Sequence, residues 1–495
     1  MLVSCTDVIE EVSEPITNKA TQKFGKLVFN ITVNQPNKTR AVKSDWENGD
    51  IVYVFFNNVA IDNTPRYVTL TYDGSSWTPA LSDGWDGTGL TESGATMSAV
   101  YFPFSRQAWK YPNWVPLLVS KDGSSYTFGA KDMLVSTYDG YSYPLFSYYL
   151  KSEGSSYTLT STGDITTLSG TLNMTIPDNF VQFYMPASGE KYNADWKYRL
   201  AVQKVKPVSC YSIGSDGIFV QKDRAYGEPM TGYKYGDGVL FSGIIDASAW
   251  SSEEKRRILL FDTEGPALTQ TFTKKLGSHD AVKLPNTGWV RAVPEPGKVN
   301  LYGDGSIYWA DKNVGASTLD GFGLYFTYGE IVPWSEDPLW CFKESPATAN
   351  NYWCMDGSHL IKYNANCTLH AYDDPATVYL GPDWRTPTGD ETSTMMNNNT
   401  WSSGWVYPVD GGNKTRSVTG AGGVIYLPAA GYRDNSNFHS DEGRYLASTD
   451  VTANNKWGDH SGVSKQLDFT ETNNCYDSYV RSWFISIRPV TNVAP

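Results

Sequence analysis

Two adjacent carboxylates, Asp373-Asp374, are the residues of this chain most able to do chemistry. Such a pair can hold Ca²⁺ or act in acid/base work. Neighbours in an extended strand point to opposite faces, which argues against one shared site. The simpler expectation is that one carboxylate caps the turn or helix that follows and the other is solvated. The five histidines, His279, His359, His370, His439 and His460, stand in no motif. Gly-x-Ser-x-Gly, His-Glu-x-x-His and a phosphate-binding loop are absent, so the sequence predicts no catalytic residue, no metal and no cofactor.

The cysteines and tryptophans remain. There are six cysteines: Cys5, Cys210, Cys341, Cys354, Cys367 and Cys475. None forms a Cys-x2-Cys pair, so a zinc site is not expected. In an exported chain Cys341, Cys354, Cys367 and Cys475 are disulfide candidates, with three pairings open. Trp334, Trp340 and Trp353 lie in a polar insertion, Ile331–His370, that also holds three of those cysteines. Loop aromatics beside a disulfide suit a ligand-binding surface, although they can equally pack on one another.

The elements that must position these residues are β-strands. At 495 residues the chain should divide into about three domains. Aromatic content is 14%, and short apolar runs alternate with Ser, Thr, Asn, Gly and Asp, the texture of a mainly β protein with many turns. Residues 1–23 read as a leader and tether. Leu27–Val33 alternates as a half-buried strand, and Asn48-Gly49-Asp50 leads into a second strand, Ile51 to Phe56. Further strands are expected at 66–72, 97–102, 126–129, 146–150, 157–160, 170–175 and 180–184, closing a first domain, 24–190. A second domain, 191–292, should hold a short helix at Ser251–Arg256 and strands near 257–262 and 268–272. Val293-Pro294-Glu295-Pro296-Gly297 reads as a stiff linker. The third domain, 298–495, opens with a hairpin and carries one helix at Asp390–Asn397. No 20–50-residue repeat is visible.

The formal net charge is −13, with the 40 Lys and Arg scattered. That field repels nucleic acid and anionic membrane surfaces, so no nucleic-acid partner is expected. There is no apolar run of about 18 residues.

Five short signatures follow in order beyond residue 300: Trp309-Ala310-Asp311-Lys312-Asn313-Val314-Gly315-Ala316-Ser317, Asp373-Asp374-Pro375-Ala376, Trp384-Arg385-Thr386-Pro387-Thr388, Leu427-Pro428-Ala429-Ala430-Gly431-Tyr432-Arg433 and Phe484-Ile485-Ser486-Ile487-Arg488-Pro489-Val490. Together they resemble the FISUMP domain of bacterial surface proteins, related to the C-type-lectin-like fold. The resemblance implies an α+β recognition module with a host or bacterial surface glycan or protein as ligand. The calcium signatures of sugar-binding C-type lectins are missing from this third. Formylglycine-generating relatives use a cysteine pair near the fold's end. Cys475 stands alone there, which counts against a sulfatase-modifying enzyme.

The N-terminal part, through Thr39-Arg40-Ala41, Trp46 and Gly49-Asp50, resembles the fimbrillin (Mfa-like) family; residues 191–292 fit its second domain more loosely. The resemblance implies two transthyretin-like β-sandwiches, protease cleavage between Arg40 and Ala41, and partners that are other fimbrillin subunits joined by strand exchange. Leu2-Val3-Ser4-Cys5 resembles a lipobox, with Cys5 lipidated and the start of the sequence lying inside a signal peptide. The reading is then a minor fimbrial (type V pilus) tip subunit, an outer-membrane lipoprotein precursor before it joins the fimbrium. The last signature lies at the chain end, leaving little to donate as a strand. The alternative is an unpolymerised surface lipoprotein that captures glycans.

Overall fold

The computed structural model describes residues 4–5, 23–34, 46–56, 67–82, 85–87, 89–90, 96–101, 119–122, 125–128, 135–138, 141–144, 150–162, 165–176, 178–186, 198–207, 211–213, 219–221, 229–235, 238–342, 368–434, 437–451, 463–480 and 483–495. The protein is mainly β.

The N-terminal part is an eight-stranded sheet. Its order is Ser4–Cys5, Lys23–Asn34, Ile165–Thr175, Leu150–Thr162, Thr96–Tyr101, Ile51–Phe56, Val68–Tyr72 and Trp77–Leu81. Val52, Val54, Leu70, Met97, Ala99, Leu168 and Leu172 are fully buried. The expected turn before Ile51 is present. Gly49 holds φ +90°, and Asp50 accepts from the Glu47 amide at 2.7 Å and from the Tyr101 hydroxyl at 2.8 Å. The long hairpin Leu150–Thr162/Ile165–Thr175 replaces the shorter strands expected there.

Two sheets form the middle part. One contains Phe180–Pro186, Gly238–Ile245, Val205–Pro207, Ala281–Lys283 and Tyr233–Tyr235; the other contains Met230–Thr231, Tyr198–Val202, Glu254–Asp262, Leu268–Lys274 and Val290–Arg291. Val181, Phe183, Leu200, Val202, Phe241, Trp250, Ile258 and Leu260 fill the space between them. Phe180–Pro186 is therefore a strand of the middle sandwich, paired along its length with Gly238–Ile245. Its apolar residues Val181, Phe183 and Met185 are buried in that second core, although the strand lies within 24–190. The helix expected at 251–256 is a single 3₁₀ turn, Ser248–Trp250, and the strand Glu254–Asp262 takes up the rest.

The second sheet of the sandwich is buried on both faces. Along Glu254–Asp262, Ile258 and Leu260 point into the sandwich, while Leu259 and Phe261 join a cluster with Val314, Phe326, Tyr379, Trp384, Ile485 and Ile487 of the C-terminal part. Ala201 on Tyr198–Val202 does the same. Two-sided burial requires a continuous apolar run, and Ile258-Leu259-Leu260-Phe261 supplies it. Ala292 and Val293 are buried in this shared cluster, which joins residues of 191–292 with residues of 298–495.

The C-terminal part is α+β. A seven-stranded sheet includes Tyr432–Arg433, Phe438–His439, Gly443–Val451, Val463–Phe469, Asn474–Val480 and Phe484–Ser486. Thr400–Trp401, Thr415–Gly420 and Gly423–Pro428 form a second sheet. Lys298–Val299, Tyr308–Ala310 and Val490–Thr491 form a third, which ties the start of this part to its end. Of the two helices among its described residues, Gly389–Asn398 matches the expected one. Its N-terminus is fixed by a reciprocal capping box between Thr388 and Glu391, with Asp390 and Glu391 in the positive first turn.

Candidate functional site

The strand Lys23–Asn34 pairs in parallel with Ile165–Thr175, from Lys23↔Ile165 to Asn34↔Thr175. Every other pairing in that sheet is antiparallel. On its far side, among the described residues, only Ser4 and Cys5 pair with it, opposite Thr32 and Ile31. Among those residues the twelve-residue strand lies near the sheet margin, held along its length by one neighbour. Its removal would uncover the backbone donors and acceptors of Ile165–Thr175, a template for another strand. Arg40 and Ala41, the expected cleavage site, lie outside the described residues.

The carboxylate pair is structural. Asp374 caps the helix Pro375–Leu380, accepting from the Ala376 amide at 2.9 Å, and also accepts from the Thr386 amide at 2.8 Å. Burial pushes its carboxyl above the usual range, against the pull of those donors. Asp373, expected in solvent, is buried instead and faces Arg199 of the middle sandwich at 3.6 Å. The guanidinium of Arg199 donates to the Tyr372 carbonyl and lies 3.2 Å from the Tyr372 ring centroid. Gln203 donates to the Pro338 and Cys341 carbonyls at 2.7 and 3.2 Å, and Arg257 to the Leu339 carbonyl at 3.0 Å. Among the described residues no group of three His, Cys, Asp or Glu has metal-binding geometry.

Of the three expected binding tryptophans, Trp334 is 4% exposed and packs among Tyr325, Phe438 and Phe484. Burial leaves its ring no open face for a ligand, which corrects the expectation for that residue. Trp340 is half-buried at the seam, with the Arg257 guanidinium 4.0 Å from its ring centroid. Trp353, Cys354 and Cys367 lie outside the described residues. Cys341 is half-buried beside the Trp334 cluster, and Cys475 is exposed on Asn474–Val480, opposite Asp468. Cys5 sits in the two-residue strand at the sheet margin.

The buried arginine of the last signature reaches the first signature and the strand that leads into the fourth, while Asp374 of the second accepts from Thr386 of the third. Arg488 donates to the Ala310 carbonyl at 3.1 Å and the Tyr426 carbonyl at 2.6 Å, and it is 1% exposed. Val490 and Arg385 exchange backbone hydrogen bonds of 2.9 and 3.0 Å. These motifs build the frame.

That frame presents a hairpin which sequence reasoning missed. Tyr432–Arg433 pairs with Phe438–His439, in register Tyr432↔His439 and Arg433↔Phe438. Alternation gives it two faces. Arg433 and Phe438 cover Trp334, the guanidinium 4.6 Å from its ring centroid. On the other face His439 stacks on Tyr432 at 4.3 Å and 5°, and Trp483 stacks on Tyr432 at 4.5 Å and 26°. The Arg444 guanidinium lies 4.0 Å from the Tyr432 centroid and 4.2 Å from that of Tyr479, and it pairs with Glu442 and Asp468 at 3.0 and 3.1 Å. Asp434 binds His439 at 2.9 Å. Burial raises the Tyr432 hydroxyl and Glu442 carboxyl pKa values. Gly431, in the fourth signature, opens the hairpin at φ +65°, with any Cβ there 1.7 Å from the His439 carbonyl oxygen.

No protein-family profile matches the chain. None of the curated proteins matches it either. Among solved structures the chain is similar to a fimbrial protein from Bacteroides ovatus, at 11% identity over 94% of this chain and 99% of that one, with a TM-score of 0.25. It is also similar to candidate cell adhesion proteins from Bacteroides ovatus and Bacteroides uniformis. The first has 13% identity, covers 54% of this chain and 95% of that one, and has a TM-score of 0.29. The second has 12% identity, covers 52% and 94%, and has a TM-score of 0.24. Superpositions this distant leave the function to be argued from this chain's own residues.

Proposed function

We propose that this chain is a cell-surface adhesin subunit of a fimbrium, joined to its neighbours by strand exchange at the N-terminal sheet. The observation that carries the reading is the marginal parallel strand Lys23–Asn34. Alternate apolar residues of such a strand stabilise a sandwich by about 1.5–3 kcal/mol each, so its release leaves a groove that favours another strand. Cleavage between Arg40 and Ala41 would free it, with a lipid at Cys5 holding the uncut chain at the outer membrane. Within this proposal the chain sits at the fimbrial tip.

Two variants test this in cells. Arg40→Ala should fold, stay with the membrane and be missing from sheared fimbriae. Val28→Cys with Ser169→Cys joins two residues in direct register, a spacing a disulfide can bridge; oxidised, it should block assembly, and reduction should restore it. Normal incorporation of either locked form into fimbriae would refute the mechanism.

A further inference from the structure

We infer that the outward face of the paired strands Tyr432–Arg433 and Phe438–His439, carrying Tyr432 and His439, is a binding platform for a neutral sugar ring, an inference that deepens the adhesin reading and rests on it for its biological setting. The imidazole of His439 has one face sealed by Tyr432, parallel at 4.3 Å. Its Nε2 is engaged by Asp434 at 2.9 Å. Yet 39% of the side chain is exposed. That exposure therefore belongs largely to the opposite face and the remaining edge. Behind it the stack continues through Tyr432 to Trp483, so the ring is held in place before any ligand arrives. A pre-ordered ring loses little conformational entropy on binding.

Such a face suits the C–H side of a pyranose. The groups around it suit its hydroxyls. Asp434 and Glu442 keep 27% and 25% of their side chains exposed, and carboxylates accept from hydroxyl donors. The local charge decides between ligand classes. Arg444 pairs with both Glu442 and Asp468, Lys414 lies 3.8 Å from Asp441, and Asp434 binds His439 at 2.9 Å. Carboxylates already engaged give little hold on a further cation, and they repel an anion. A neutral glycan satisfies both conditions. Arg444 adds firmness beneath the platform: it is buried, and ring faces of Tyr432, Tyr479 and Trp483 surround its guanidinium.

The test uses the full chain on immobilised oligosaccharides ending in mannose, galactose, glucose or N-acetylglucosamine, with sialylated and sulfated counterparts and a lysine-rich peptide alongside. At least one neutral probe should be retained, with acidic counterparts and the peptide held more weakly. His439→Ala should weaken retention about five- to tenfold, the size of one lost ring stack. His439→Phe should restore most of it, with both variants still folded by circular dichroism at the assay temperature. The inference is overturned if no neutral probe is retained, if His439→Ala binds as the parent does, or if the acidic probes or the peptide bind best. The adhesin reading fails separately: sugar retention would be intact, but the parent and His439→Ala would both be absent from fimbriae. Correct incorporation of a His439→Ala chain that no longer holds sugar supports both.

Discussion

Arg199→Met tests the shared interior of the middle and C-terminal parts most directly. Arg199 belongs to the strand Tyr198–Val202, whose inward residues Tyr198, Leu200 and Val202 fill the sandwich. Its own side chain is 8% exposed and crosses to Asp373, 3% exposed, and to the Tyr372 carbonyl and ring. Methionine keeps the apolar stem and removes the charge. Breaking a buried ion pair costs about 3–5 kcal/mol, and a desolvated cation–π contact adds about 2 kcal/mol. The 3.6 Å separation is long for an ion pair, and Asp373 keeps other contacts. The expected loss is therefore about 3 kcal/mol. At a urea slope of about 3 kcal/mol/M the midpoint should fall by about 1 M.

The assay is urea unfolding followed by tryptophan fluorescence, since Trp250 lies in the sandwich core and Trp384 in the shared core. Both should be lost in one transition, in Arg199→Met as in the parent. Asp373→Asn should cost similarly. The double variant should cost less than the sum, with a coupling of about 1–3 kcal/mol. A midpoint shift below about 0.3 M, or two separate transitions in the parent, would refute the reasoning.

A fragment of residues 298–495 alone should bind hydrophobic dyes and aggregate, because Val314, Phe326 and Tyr379 lose their cover from Leu259 and Phe261; a fragment of residues 178–495 should stay monomeric by light scattering. Gly431→Ala should destabilise the C-terminal part by about 2–4 kcal/mol in the same urea assay, since the backbone is left-handed and the new methyl would meet the His439 carbonyl. Thiol labelling of unfolded, unreduced protein should find at most two of Cys341, Cys354, Cys367 and Cys475 reactive; four reactive thiols would reject a disulfide among them.

The sequence made some of this fold legible and hid the rest for definite reasons. The Thr388/Glu391 capping box and the Asn48-Gly49-Asp50 turn are local, and local chemistry reads directly. Phe180–Pro186 reads as a strand but not as a strand of the middle sandwich, because its partner Gly238–Ile245 lies some sixty positions away. The parallel pairing of Lys23–Asn34 with Ile165–Thr175 spans an even longer stretch. Nothing in Leu27–Val33 distinguishes a marginal strand from a central one. Ile258-Leu259-Leu260-Phe261 carried the clue to the shared core, since four apolar residues in a row cannot all face one side of a sheet.

The candidate binding platform was missed for a related reason. Its residues sit partly inside a motif that builds the frame, and a framing motif draws attention to packing. Period-two alternation across Tyr432, Arg433, Phe438 and His439 separates the two roles. Arg433 and Phe438 bury Trp334, and the same pairing turns Tyr432 and His439 outward. Burial of Trp334 and presentation of His439 are thus one geometric event. Trp334→Ala should therefore weaken sugar retention without touching the ligand, because the hairpin loses the surface that fixes its tilt.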